Sequence, residues 1–235
     1  MMVRRDTLAR ACMLDHPPTA YLVPVKRPDG VAEYEVTWDD LARDAAWTQE
    51  RLQALGLERG HCALVSFSGH EGAWFQPVIE ALRNLGATYG TAEAMGWDHA
   101  RTRVFHRELD LHAVLGLSTD TLEALSGQVM IGDLFRDTPV ILVRPGAAER
   151  LRAAGVRAGI IAPLGPALAI ECAERSGAHV NRSEWHVSER DGVLAVAAVR
   201  EKRATGLDEI VLDTAGRVLT ERCACGSDDP RVVLG

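Results

Sequence analysis

The chain has no apolar run long enough to cross a membrane: no stretch approaches about 18 uninterrupted apolar residues. Its first residues, Met1-Met2-Val3-Arg4-Arg5-Asp6, lack the apolar core of a secretion signal. Cysteine is sparse and odd in number, five in 235 residues, which does not suit a disulfide framework. A reducing, cytoplasmic location is therefore expected. Long runs of one charge are also missing, and the net charge is −7 from 26 basic and 33 acidic groups. That balance argues against nucleic acid or an anionic membrane as the main partner. No internal repeat, low-complexity tract, Ser-His-Asp nucleophile elbow or dinucleotide-binding fingerprint is present. What remains is ordinary globular composition, 47% apolar and 25% charged, enough for one well-cored domain with a small appendage.

The residues that are present and carry chemistry cluster late. Cys172 is followed seven residues on by His179, and Cys223-Ala224-Cys225-Gly226 comes near the end. Three thiolates and one imidazole make a complete tetrahedral zinc shell with no position left for water, a structural site. Cys172, His179, Cys223 and Cys225 are the expected ligands, although Cys-x-Cys differs from the usual C-x₂-C knuckle. The alternative is a buried Cys172 and a free, exposed Cys pair.

Ahead of this cluster the pattern alternates. Thr37, with Asp40 three residues on, reads as a capped helix start, and the stripe Leu41, Ala45, Leu52, Leu55 runs to Gly56. Short apolar strands are expected at Cys62–Phe67, Ala87–Gly90, Ala113–Gly116, Val140–Val143 and Gly159–Ala162. Helices are expected at Trp74–Leu85, Asp98–Glu108, Thr119–Leu125 and Ala147–Ala154. Such alternation predicts an α/β fold with a mostly parallel sheet and flanking helices. After Cys172 the signal becomes short strands split by Asp191-Gly192 and Ala215-Gly216, a small antiparallel β subdomain. The expected division is an N-terminal extension (1–35) holding the turn texts His16-Pro17-Pro18 and Pro28-Asp29-Gly30, an α/β layer (36–170), and a zinc-stapled β subdomain (171–235).

Two loops follow strands at their C-terminal ends, where open α/β sheets bind ligands. The first holds Phe67, Ser68, His70, Glu71 and Trp74. His70 and Glu71 can serve as general base and orienting acid, with Phe67 and Trp74 as an aromatic wall. The second holds Glu93 and Trp97, weaker pocket candidates beside His99. His106 and His112 read as surface residues, Cys62 as a buried strand residue and Cys12 as a thiol without nucleophile context.

Three segments resemble the adenylate-forming ligases, in particular the branch of phenylacetate–coenzyme A ligase and coenzyme F390 synthetase. They are Thr37 to Leu85-Gly86-Ala87, then Gly165 to Cys172 through Gly177-Ala-His179 to Val187, and Leu212-Asp213 to Arg217 followed by Cys223-Ala-Cys-Gly226 and Pro230-Arg231. The resemblance implies a ribose-binding acid at Asp213, a few residues before Arg217 and about ten before the Cys pair. Asp208, in Thr205-Gly-Leu-Asp208, matches the family's local Thr-Gly-Asp text with one insertion, and Asp213 is preferred for its distance to Cys223. It also strengthens the zinc reading. The departures are as telling. The family's Ser/Thr/Gly-rich phosphate loop has no counterpart, Ala162 stands where the adenine-site motif has its Glu, the stretch from Leu125 to Val140 is short, and the lid domain with its catalytic lysine is expected to be absent.

The resemblance and its departures imply an ATP-independent protein on a ligase scaffold. It would bind and transform an aromatic or acyl metabolite, carboxylated or thioester-linked, in specialised biosynthesis. The alternative is a non-catalytic scaffold or regulatory subunit for a partner enzyme or carrier protein, or a homodimer.

Overall fold

The computed structural model describes residues 19–28, 30–199 and 209–235. The texts around His16, Cys12 and Asp208 lie outside them.

The described chain opens with a hairpin of β1 (Thr19–Arg27) and β2 (Gly30–Thr37). Helix α1 (Trp38–Ala54) follows at once, and its start is the expected capping box. Asp40 N–H donates to Thr37 Oγ1, and Thr37 N–H donates to Asp40 Oδ2. The helix closes at Leu55, one residue before the expected stop, and Gly56 takes the left-handed conformation beyond it.

Five parallel strands come next: β3 (Cys62–Ser66), β4 (Thr88–Ala92), β5 (Leu111–Leu115), β6 (Val140–Val143) and β7 (Gly159–Leu164). The crossovers are α2 (Gly72–Leu85), α3 (His99–Glu108), α4 (Thr119–Ser126) with the short α5 (Ile131–Phe135), and α6 (Pro145–Ala153). Strand residues alternate between two cores, as a pleated strand must. Ala63 and Val65 of β3 pack with Trp47 and Leu52 of α1 and Phe75, Val78 and Leu82 of α2. Leu64 faces the other way, onto Leu122 and Leu125 of α4, Phe135 of α5 and Leu151 of α6. Helices thus cover both faces, and this accounts for strands that read as continuous apolar runs.

From β7 onward the sheet turns antiparallel: β8 (Ala167–Glu171), β9 (Ala178–Val180), β10 (Trp185–Arg190), β11 (Val193–Ala198), β12 (Ile210–Leu219) and β13 (Arg231–Leu234). The strand order is β10-β11-β12-β13-β9-β8-β7-β6-β5-β3-β4. The antiparallel strands, expected as a subdomain, therefore continue the parallel half as one eleven-stranded sheet. Of the two turns expected in this half, one holds and one does not. Asp191-Gly192 is the tight turn it reads as, with φ of 51° and 82°. Ala215-Gly216 is not a turn but the middle of the unbroken β12. Gly216 is there because a Cβ would sit 2.6 Å from the Val233 carbonyl oxygen and 2.9 Å from Leu194, so two strands close in on its backbone. The hairpin β1–β2, β8, β9 and β13 carry weak alternation and escape the sequence pattern.

Among the described residues no helix is long and apolar enough to cross a membrane.

His106, on α3, lies edge-on to Phe135 at 5.4 Å. Burial pushes its imidazole below the ordinary histidine range. The folded state then binds this proton less readily than the unfolded chain. The stabilisation from neutral His106 is complete above the unfolded value of about 6.5 and fades as pH falls through it toward the lower folded value. Thermal melts at pH 7.5 and 5.5 are expected to differ less for His106→Gln than for wild type. An equal difference in the two proteins removes His106 from the acid sensitivity.

Candidate functional site

Two sites stand on opposite parts of the sheet. The first is a cleft of about 400 Å³ at the C-terminal ends of the parallel strands. Its wall comes from four loops on that edge: Ser68 and His70 after β3, Met95 after β4, Ser118 after β5, Arg144 after β6. Ala162 of β7 and Thr214 of β12 complete it. The topology builds this cleft, because parallel strands deliver all their outgoing loops to one edge. Gly116 makes the turn after β5 possible. Its φ is +87°, and a Cβ there would lie 2.3 Å from the Ser66 carbonyl oxygen.

The centre of the cleft is an ion pair that spans 73 residues. Arg144 Nη2 donates to Glu71 Oε1 at 2.6 Å, and both side chains are largely buried, 13% and 16% exposed. The other Glu71 oxygen accepts from Ser68 N–H at 2.8 Å, which caps the turn leading into α2. The Arg144 guanidinium also lies over the Phe75 ring, 4.4 Å from its centroid. Its Nη1 is buried with no hydrogen-bond partner. Burial pulls the Arg144 guanidinium below the ordinary arginine range, against the opposing pull of Glu71.

This geometry rearranges the expected roles. The sequence pairs Glu71 with His70, whereas the structure turns both Glu71 oxygens toward Arg144 and the Ser68 amide. His70 is exposed on the cleft wall. Phe67 stacks on Phe75 at 5.4 Å, against the core, and Trp74 donates its indole N–H to the Gly165 carbonyl at 3.0 Å. Neither lines the cleft. Instead Trp74 borders a narrow crevice with Trp47 and Trp185. Of the second loop, Met95 and Ala94 reach the cleft, Glu93 is half-buried, and Trp97 points outward, 70% exposed. Asp213 and Arg217 are exposed on β12, and Thr214 is the residue of that strand that faces the cleft.

Arg144, Ser118 and Thr214 were not singled out from the sequence. Arg144 had a signal: it follows the apolar run Val140–Val143 directly and precedes Pro145, the place where a parallel strand presents a residue to a ligand.

The second site lies in the antiparallel half. Cys172 follows β8, His179 is the middle of β9, and Cys223 and Cys225 sit in the β12–β13 loop. Their ligand atoms all lie within 4.8 Å of one another. The two closest approaches are Cys172 Sγ to Cys223 Sγ at 3.7 Å and Cys225 Sγ to His179 Nε2 at 3.4 Å. His179 is fully buried, and its Nδ1 lies 3.3 Å from the Asp229 carbonyl oxygen. That contact leaves Nε2 for the cysteines, as a carbonyl behind a metal-bound imidazole does. This set could hold a metal ion.

Burial and the neighbouring thiols push the Cys172 thiol up to about 12. Cys223 goes the other way. Burial raises it, but the Cys225 amide and the surrounding donors outweigh burial and hold it below the ordinary thiol range.

The carboxylate of Asp229 ties the cluster to α1, accepting from Trp47 Nε1 at 2.8 Å. Arg231 closes the loop from the other side, donating to the carbonyl oxygens of Ser176 and Glu221, each at 2.7 Å.

No family model matches the chain, and no curated protein matches it in sequence. Solved structures do match in three dimensions. The open conformation of 2-hydroxyisobutyryl-CoA ligase, in complex with 2-HIB-AMP and CoA, superposes with a TM-score of 0.67. The identity is 12%, over 97% of this chain and 60% of that one. The ATP-bound RpMatB-BxBclM chimera gives 0.61 at 8% identity, over 94% of this chain and 49% of that one. Apo MbtA of Mycobacterium smegmatis gives 0.60 at 11%, over 94% and 47%. The chain has the fold of the adenylate-forming ligases. At this level of identity the likeness is one of fold, and the chain spans about half the length of these ligase-fold proteins.

Proposed function

We propose that the protein binds a small acyl metabolite, carboxylated or thioester-linked, in the cleft at the C-terminal ends of β3 to β7, and that His70 moves a proton on it without adenylation. One observation carries this reading. Four separate loops with strands β7 and β12 enclose about 400 Å³ around a buried Arg144–Glu71 pair, with His70, Ser68, Ser118 and Thr214 on the wall. Convergent polar groups over an otherwise apolar lining of Ala94, Met95, Pro145, Ala162 and Pro163 suit a ligand with one polar end. Arg144 Nη1 has an unused donor for that end. His70, exposed to the cleft, is the proton carrier. Glu71 serves as a positioning residue, since its carboxylate fixes Arg144. Ala162, small and uncharged, supports the ATP-independent reading, because the resemblance places an acid there in active ligases.

The Cys172–His179–Cys223–Cys225 set is proposed to hold a structural zinc. Its thiolate and imidazole donors suit that ion.

Native mass spectrometry of the purified protein is expected to show a bound small molecule that a Ser118→Trp variant loses. With that molecule or its precursor as substrate, His70→Ala is expected to lower kcat by about 10²- to 10⁴-fold, the usual contribution of a general base. ATP is expected to yield no pyrophosphate. Unchanged turnover in His70→Ala removes His70 from this role, and pyrophosphate release overturns the ATP-independent reading.

A further inference from the structure

A second group of cations gathers at the opposite, N-terminal edge of the parallel strands. A pocket of about 180 Å³ opens there, floored by Leu55, Pro139, Val140, Ile141 and Leu142. Arg157 and Arg175 stand on its wall, together with Cys172. β6 separates this pocket from the cleft above, by roughly 13 Å of strand.

Arg175 is the unusual member. It lies in the β8–β9 turn at φ 50°, a left-handed conformation that non-glycine residues seldom take, and its amide donates to the Cys172 carbonyl at 3.1 Å. That backbone sends the guanidinium over Gly159, where a Cβ would meet Arg175 Nη1 at 3.0 Å. Nε and Nη1 are both buried there without a hydrogen-bond partner. Buried donors of a charged group are costly to leave unpaired.

The nearby acid does not answer them. Glu171 Oε2 is engaged by Arg152 Nη2 at 2.8 Å and by the Ile160 amide at 2.9 Å. Arg152 also donates to the Ala158 carbonyl, so it is the satisfied cation of the three. Arg157 and Arg152 act on Arg175 as like charges, while Glu171 and the Cys172 thiol oppose them. A divalent ion among three thiolates and an imidazole carries one net negative charge. Set against three guanidinium groups and Glu171, it still leaves the pocket with a positive excess.

We propose that this pocket is a second binding site, separate from the cleft, for a small carboxylate with a short apolar body. The Arg175 side chain turns its unpaired Nε–H and Nη1–H out onto the carboxylate, with Arg157 at the rim, and the body lies on the floor of Leu55, Pro139 and Val140. The charge of the guanidinium pair selects an anion, and the five apolar floor residues select the body over a bare inorganic ion. A larger hollow of about 570 Å³ shares Pro139, Ile141 and Arg157 with the pocket and gives the ligand its way in.

The test is calorimetric titration of the full chain, with its metal bound, using hexanoate, hexylamine and inorganic phosphate as probes. Hexanoate is expected to bind while hexylamine does not, with phosphate at least tenfold weaker than hexanoate. Arg175→Gln is expected to weaken hexanoate by about tenfold or more, the worth of a hydrogen bond to a charged group. Arg157→Gln, at an exposed position that leaves the fold alone, is expected to weaken it by a smaller factor. The titrations are also run with the cleft filled by Ser118→Trp, where hexanoate binding at this pocket is expected to persist, which separates this site from the cleft. Unchanged affinity in Arg157→Gln and a folded Arg175→Gln overturns the proposal. So does complete loss of hexanoate binding in Ser118→Trp, which would put hexanoate in the cleft alone, and so does phosphate binding as tightly as hexanoate.

Discussion

The Cys223→Ser variant is expected to lose its metal and to melt about 10 °C below wild type. Loss of a structural metal belongs to the short list of changes that cost roughly 4 kcal/mol or more. A domain of this size shifts by about 2–4 °C per kcal/mol. The reason lies in how little else holds this corner. β9 is three residues long, and the β12–β13 loop that carries both late cysteines is tied mainly by Arg231 and Asp229. A metal joins Cys172 after β8, His179 on β9 and that loop in one step, and its binding energy becomes folding energy. Cys225→Ser is the sharper control. Cys225 is exposed, so without a metal its sulfur contributes little to packing. With the proposed zinc it is an equal ligand, and its loss is expected to match that of Cys223. Differential scanning fluorimetry, with metal content measured on the same samples, decides the matter. Wild-type melting and undiminished zinc in Cys223→Ser would sink the assignment. A silent Cys225→Ser beside a damaged Cys223→Ser would reduce the cluster to ordinary core packing.

Removing one partner of the Arg144–Glu71 pair is the second large effect. Glu71→Gln leaves a guanidinium that is 13% exposed without its counter-charge. Breaking a buried pair from one side costs about 3–5 kcal/mol, more than the pair itself contributes, because the stranded charge stays buried. Glu71→Gln keeps an oxygen for the Ser68 amide, so the cap survives and the loss reports the charge alone. Glu71→Ala removes both and is expected to cost more by about 1 kcal/mol. The double variant Glu71→Gln, Arg144→Met is expected to recover most of the stability lost in Glu71→Gln, since no charge then remains to be stranded. Urea melts of the two single variants and the double test this directly. Additive losses in the double variant would show that the two side chains act independently. The same pair fixes two loops of the cleft, so ligand affinity is expected to fall with stability in Glu71→Gln.

The parallel half was legible because its signal is local. Apolar runs of four to six residues, separated by helices with caps such as Thr37 and stops such as Gly86, need only sequence spacing to be read. The hairpin β1–β2 and strands β8, β9 and β13 were missed for a physical reason. The hairpin β1–β2 is half-exposed, β8, β9 and β13 are short, and β13 pairs with a strand distant in sequence: Arg231 of β13 pairs with His179 of β9. Ala215-Gly216 misled because glycine punctuates turns and also admits close strands. Only the neighbouring Val233 and Leu194 show which applies.

By itself the sequence determined the residue types that can do chemistry here: three thiols and an imidazole late in the chain, a His-Glu step after β3, and the alternation that makes a parallel sheet. Tertiary structure alone decided which of them meet. Sheet order brings Cys172, His179 and the Cys223–Cys225 loop together. The same order carries Arg144 from β6 to Glu71, away from its sequence neighbour His70. Periodicity and capping act over a few residues and leave their mark in local text, whereas register and strand order arise from burying the sheet as a whole.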